Sequence, residues 1–190
     1  MSRDGALGLH WRDADRLVFH AVPPKAESPR LVMLDVRRPG TDLLAVETLH
    51  TMETFGDGTA LTLPGRTRMV VSQVGTSRDR DQGIVVVEPP AKRPTGSVFA
   101  SGCGGIAAFT LDPSGRYLLV GVDNQAGMLV GDPPEPACGD APPYELFRVD
   151  LQGRSGSTVS NTYRHGDVPS LDLPRVRVWQ GERALYDIAW

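Results

Sequence analysis

The run Phe109-Thr110-Leu111-Asp112-Pro113-Ser114-Gly115-Arg116-Tyr117-Leu118-Leu119-Val120 decides the fold. An apolar stretch stops at Asp-Pro-Ser-Gly and a second apolar stretch follows at once. Pro presets the backbone for a tight turn and Gly tolerates the left-handed conformation that such a turn often needs. Two short apolar runs joined by so brief a connection read as neighbouring antiparallel strands. The same order occurs twice earlier. Asp13-Ala14-Asp15-Arg16 leads into Leu17-Val18-Phe19, and Pro64-Gly65-Arg66 leads towards Met69-Val70-Val71, so Arg16, Arg66 and Arg116 stand fifty residues apart. A fixed period of this size marks like supersecondary units, because one unit cannot bury its apolar face alone and must stack on its neighbours.

Outward from these turns, each unit yields four candidate strands. The first has Leu7 to Trp11, Arg16 to Ala21, Arg30 to Val36 and Asp42 to Leu49; the second has Thr59 to Leu63, Thr67 to Val74, Ile84 to Glu88 and Ser97 to Ala100. The third has Ile106 to Leu111, Tyr117 to Val122, Tyr144 to Leu151 and Ser157 to Tyr163. Each is four to eight residues long, rich in Val, Leu and aromatic side chains, and bounded by Gly, Pro or Asp. Thr41 to Phe55 is long enough to wind as a helix, but its apolar positions do not hold a period of 3.6 residues. The expected fold is all-β. It is a propeller-like array of antiparallel four-stranded blades in one domain over 1–190, with units at about 7–55, 56–102 and 103–163 and tail strands at 174–190.

These residues resemble the repeat of TolB-like and WD40-like β-propellers. In that repeat an apolar inner strand meets a Pro-Asp-Gly type turn, a basic residue and a second apolar strand, as at Phe109 to Val120. Tyr144-Glu145-Leu146-Phe147-Arg148-Val149-Asp150-Leu151-Gln152-Gly153 resembles the third strand of the repeat, and Arg30 to Val36 with Asp35 matches the same place in the first unit. No Trp-Asp pair or Gly-His signature is present. Three units fall short of the four to eight blades of a closed propeller. Arg175 to Trp179 and Ala184 to Trp190 are read as further strands. Ile188-Ala189-Trp190 repeats the ending of Leu9-His10-Trp11 and is expected to open a next blade. The chain is then part of a larger propeller, a small irregular one closed by its tail, or a half that pairs with another chain.

Composition narrows the function. With 20 basic and 23 acidic residues, a net charge of −3 and a pI near 5.8, the chain lacks the basic surplus of a phosphate-backbone binder, and nucleic acid is not expected as a partner. The longest aliphatic run, Ile84 to Val87, is far shorter than the roughly 18 residues a membrane helix requires. Residues 1–20 show no basic-then-apolar signal. Cytoplasmic placement is the default reading. Eighteen arginines against Lys25 and Lys92 fit a GC-rich bacterium. Propellers resembling this one in such bacteria are often extracytoplasmic, which is the expectation if the chain is the C-terminal part of an anchored protein.

Arg16 and Arg116 are offset by 100, Asp35 and Asp150 by 115, so about fifteen additional residues lie in Asp123 to Pro143. This insertion contains five prolines and Cys138, while Cys103 lies just before the same unit in Ser101-Gly102-Cys103-Gly104-Gly105. The isolated pair suggests a disulfide between Cys103 and Cys138 that pins the insertion, which would contribute about 4 kcal/mol through loop-closure entropy. Two free thiols are the alternative, since two cysteines do not establish an oxidising compartment.

No catalytic, cofactor or metal residues are assigned. The chain has no Gly-x-Ser-x-Gly elbow, and no Cys-x-x-Cys or His-x-x-x-His spacing for a metal. Cys103 paired with His10, His20, His50 or His165 is a weaker reading than packing for the histidines and a turn for the cysteine. His165-Gly166-Asp167 reads as a turn, and Arg78, Asp79, Arg80 and Asp81 as solvated loop charges. The expected function is a non-catalytic module that presents loops, chiefly Asp123 to Pro143 and Thr76 to Gln82, to a protein partner. The alternative is an accessory propeller of a larger hydrolase or peptidase.

Overall fold

The computed structural model describes residues 5–22, 30–38, 40, 46–51, 60–63, 68–73, 82–88, 94–125, 138–153, 169–185 and 188. Among them the secondary structure is all β, without a helix. The first sheet runs β1 (Gly5–Trp11), β2 (Arg16–Val22), β3 (Arg30–Asp35), β4 (Glu47–Thr51), with each strand beside the next in sequence. The second follows with β5 (Ala60–Thr62), β6 (Met69–Gln73), β7 (Gly83–Val87) and β8 (Gly96–Ala100). The third comprises β9 (Gly105–Leu111), β10 (Tyr117–Asp123), β11 (Tyr144–Asp150) and β12 (Arg175–Gly181), again with sequence neighbours side by side. Three antiparallel four-stranded sheets in succession are what short strands joined by tight turns favour, because sequential antiparallel pairing keeps connections short.

The other strand placements follow the sequence reading, but β4 spans Glu47–Thr51 where Asp42 to Leu49 was expected, and residues 41–45 and 52–55 lie outside the described residues. The third sheet differs. Its fourth strand was expected at Ser157 to Tyr163, which lies outside the described residues, and Arg175 to Trp179 was expected as a tail strand beyond the unit. Instead β12 pairs antiparallel with β11, Val149 opposite Arg175 and Tyr144 opposite Gly181, and so completes the third sheet. Local pattern identifies a strand but not its pairing partner, and here the partner is recruited across a connection of more than twenty residues.

The fifty-residue arginine spacing also differs from structural equivalence. Arg12 N–H donates to the carbonyl of Arg16 in the first sheet, Leu63 to Arg68 in the second and Asp112 to Tyr117 in the third. The position that opens the second strand is therefore held by Arg16, Arg68 and Tyr117; Arg116 stands one residue earlier, where the first sheet has Asp15. Arg66 lies outside the described residues. The first turn is one residue shorter than the third, and in a strand of period two one residue decides which face a side chain occupies.

The chain divides into two compact units, residues 1–74 with 84–96 and residues 75–83 with 97–190, where the sequence reads as one domain. The division runs through β7 and β8 rather than between repeats. Within the first unit Val18, Phe19, Leu31, Val32, Met69 and Val70 are buried, and Phe19, Ala21 and Val32 pack together with Leu34 and Val46 against them. Within the second, Phe109, Leu118, Val120, Val122 and Val149 are buried. The register places Phe109 and Phe147 on either side of Val120, so alternate residues of three strands supply one apolar face. Phe99 of β8 lies on that face, its ring 5.5 Å from Phe147. β7 and β8 are buried at every position, the continuous apolar pattern of strands covered on both faces.

Candidate functional site

Two ends of sheets collect polar groups. The first is an open cleft of about 440 Å³ beside the β1–β2 turn, lined by Asp13, Asp15, Asp35 and Glu47 and by Arg16, Arg37 and Arg38, with Met33 among them. Asp35 ends β3 and its carboxylate accepts hydrogen bonds from the Arg37 backbone N–H, Nε and Nη2 at 3.0, 2.9 and 2.8 Å. The Arg37 guanidinium and backbone N–H hold the Asp35 carboxyl at about 2, and the Asp35 carboxylate raises the arginine in return. Arg16 Nε donates to Asp13 at 2.7 Å and keeps that carboxyl below its ordinary range. These aspartates stay ionised and hydrogen-bonded to arginine, so neither is poised to donate or accept a proton near neutrality.

The same device recurs in different pairings. Arg116 Nη2 donates to Asp150 at 2.8 Å across β10 and β11 and lowers the aspartate. Arg68 Nε stands 2.7 Å from Glu88, which follows β7, an ion pair by distance although the N–H is not aligned for a hydrogen bond. An acidic residue at the end of each third strand thus meets an arginine. In the first sheet that arginine is Arg37, because the register sets Arg16 opposite Asp35 while its guanidinium turns to Asp13. Such exposed pairs contribute little stability each.

The second end is built around the insertion. Cys103 and Cys138 form a disulfide, their Cα atoms 5.5 Å apart and 35 residues apart in sequence. Gly102 takes φ of 87° immediately before Cys103, a conformation open to glycine. Asn124, 5% exposed, follows β10 and closes the base of the insertion: its N–H donates to the Pro143 carbonyl at 2.8 Å, and Nδ2 donates to the Pro142 carbonyl at 2.7 Å and to Glu145 Oε2 at 2.9 Å. Glu145 in turn accepts from Arg177 Nη1 of β12 at 2.7 Å. Gly104 lets these groups approach, since a Cβ there would lie 2.5 Å from Asn124 Oδ1. Two independent closures, one covalent and one hydrogen-bonded, therefore fix where the insertion leaves and re-enters the sheet.

The disulfide consumes the only sulfur that the Cys–His reading required as thiolate, so no such nucleophile stands at Cys103. His10 is pushed down by desolvation, and His20 is buried in β2. His165, Asp167 and the Arg78 to Asp81 charges lie outside the described residues, as does most of the insertion. Among the described residues no group of three or more His, Cys, Asp or Glu is placed to hold a metal ion. No described helix is long and apolar enough to cross a membrane. Asn124, Gly104, Glu145 and Arg177 escape sequence reasoning, because their roles depend on strand register; only the Asn after the β10 run, a residue suited to turns, carries a local signal. No protein-family model matches the chain, and no curated protein or solved structure matches it.

Proposed function

We propose that the protein is a non-catalytic β-repeat module that binds a protein partner through the insertion between β10 and β11. The observation that carries this reading is the double closure of the insertion's base by the Cys103–Cys138 disulfide and by Asn124. A loop that only connected adjacent antiparallel strands needs a few residues and no such anchorage. Fixing the ends of a long Pro-rich loop lowers the entropy lost when it docks, which raises affinity without new contacts. Loops held on a rigid sheet are the common seat of recognition.

The test is site-specific photocrosslinking in cells of the source organism, with the photoreactive residue placed in turn within 126–137 and at the exposed Thr48 and Thr51 of β4 in the first sheet. The expected result is a discrete protein adduct from the insertion positions, lost when 126–137 is replaced by a short Gly-Ser connection. Adducts distributed equally over both surfaces, or none, would remove the reading. A turnover that survives purification and disappears with a single substitution would favour an enzyme instead.

A further inference from the structure

The outer edge of the third sheet bears features of a second binding surface. β12 is terminal in its sheet, and Arg175 to Gln180 are exposed at every position. Val176 is 53% exposed, Val178 47% and Trp179 38%. By contrast β8, the last strand of the second sheet, is buried throughout. Proteins commonly blunt an exposed edge with proline, lysine or a very short strand, because its free N–H and C=O groups template another strand. β12 has seven residues and neither proline nor lysine; its charges are the two arginines, and its one irregularity is the register shift at Val178.

Its side chains sort by face. Arg175 and Arg177 stand opposite Val149 and Phe147, whereas Val176 and Trp179 stand opposite Arg148 and Leu146. The first face is basic at the edge. Arg177 is compensated by Glu145, but Arg175 lies over the rings of Phe99 and Phe147, donates from Nη1 to the Ala100 carbonyl at 3.4 Å, and meets no carboxylate among the described residues, so its charge is held but not neutralised. The second face is apolar at the edge, with Val176 and Trp179 beside each other.

We propose that β12 accepts an extended segment of a partner protein as an added strand, in which acidic residues alternate with apolar ones. Side chains of a strand alternate between faces, so the acidic set would lie beside Arg175 and Arg177 and the apolar set beside Val176 and Trp179. Strand addition takes its affinity from main-chain hydrogen bonds and its specificity from alternate side chains. A second copy of this chain fits worse. Antiparallel pairing of β12 with itself would gather Arg175 and Arg177 of both chains on one face, and like charges on neighbouring strands are destabilising. Strand addition at β12 rests on the chain being an interaction module, as loop docking does, but uses another surface.

Fluorescence anisotropy of the full-length oxidised protein with a labelled ten-residue peptide of alternating valine and glutamate tests it. The expected result is binding at least about tenfold tighter than that of the valine–lysine counterpart or of the same residues in scrambled order, a preference of about 1.4 kcal/mol. Val178 lies at the register shift and has no partner on β11, so Val178→Pro should spare the sheet, checked by circular dichroism, while lowering affinity about tenfold. Arg175→Glu provides the second variant and should reverse the preference towards the lysine peptide. Equal binding of all three peptides would overturn the proposal, as would binding indifferent to both substitutions, or concentration-dependent dimerisation abolished by Val178→Pro. Insertion crosslinks that persist in Val178→Pro would leave the loop reading intact, so the two fail separately.

Discussion

Gly104 and Asp35 show how single residues set the two polar ends. At Gly104 an added methyl would meet the Asn124 side chain at 2.5 Å and the Asp123 carbonyl at 2.9 Å, so backbone or turn must shift. Gly104→Ala is therefore expected to destabilise the second unit by about 1–3 kcal/mol, read as a lower denaturation midpoint. An unchanged midpoint would show that the base of the insertion yields freely. Asp35 makes a prediction about acid. Its folded value of about 2 lies below that of an unfolded aspartate, so its contribution is present above about pH 4 and lost as the pH falls through about 2. Asp13 and Asp150 are lowered in the same direction by Arg16 and Arg116. Asp112 joins them: burial works to raise it, but hydrogen bonds from the Ser114 hydroxyl and N–H and the Tyr117 N–H outweigh that. Stability should decline across that acidic interval, and the decline should be smaller in Asp35→Asn. Carboxyl chemical shifts that place Asp35 at an ordinary aspartate value would contradict this.

Elements differ most in cover. β7 is buried at all five positions, whereas β12 is exposed at six of its seven. Opening free energies follow burial and packing, so amide exchange should be slowest in β7 and fastest, among the strands, in β12. Comparable protection in the two would mean that β12 is covered in solution, by a partner strand or otherwise. The turn before β10 shows why its sequence announces it. Pro113 and Ser114 fill the centre, Gly115 takes φ of 69°, and its N–H donates to the Asp112 carbonyl at 2.8 Å. Asp112 side-chain oxygens then accept from the Ser114 and Tyr117 N–H groups at 3.2 and 2.7 Å. Every partner lies within five residues.

For the whole chain, the two compact units imply that the disulfide acts locally. Cys103 and Cys138 both belong to the second unit. Reduction should lower the stability of that unit by about 4 kcal/mol from loop closure and leave the first unchanged. Variants that retain only Trp11 or only Trp179 report the units separately, and the transition seen by Trp179 alone should move on adding a dithiol. A shift of equal size at Trp11 would mean that the units unfold as one.

Most strand positions and the turn before β10 were determined by the sequence itself, because apolar alternation and Gly or Pro punctuation act over a few residues. Arg16 to Ala21, Tyr117 to Val122 and Tyr144 to Asp150 are strands for that reason. Tertiary structure alone decided that β12 completes the third sheet, since pairing between distant segments is selected by register and by the faces that must be buried. It also decided that Arg68 and Tyr117, not Arg66 and Arg116, match Arg16, because a turn one residue longer shifts every side chain after it. The clamp of Gly104, Asn124, Glu145 and Arg177 belongs to the same class. Its members are spread over more than seventy residues, and only the paired strands bring their donors and acceptors within hydrogen-bonding distance.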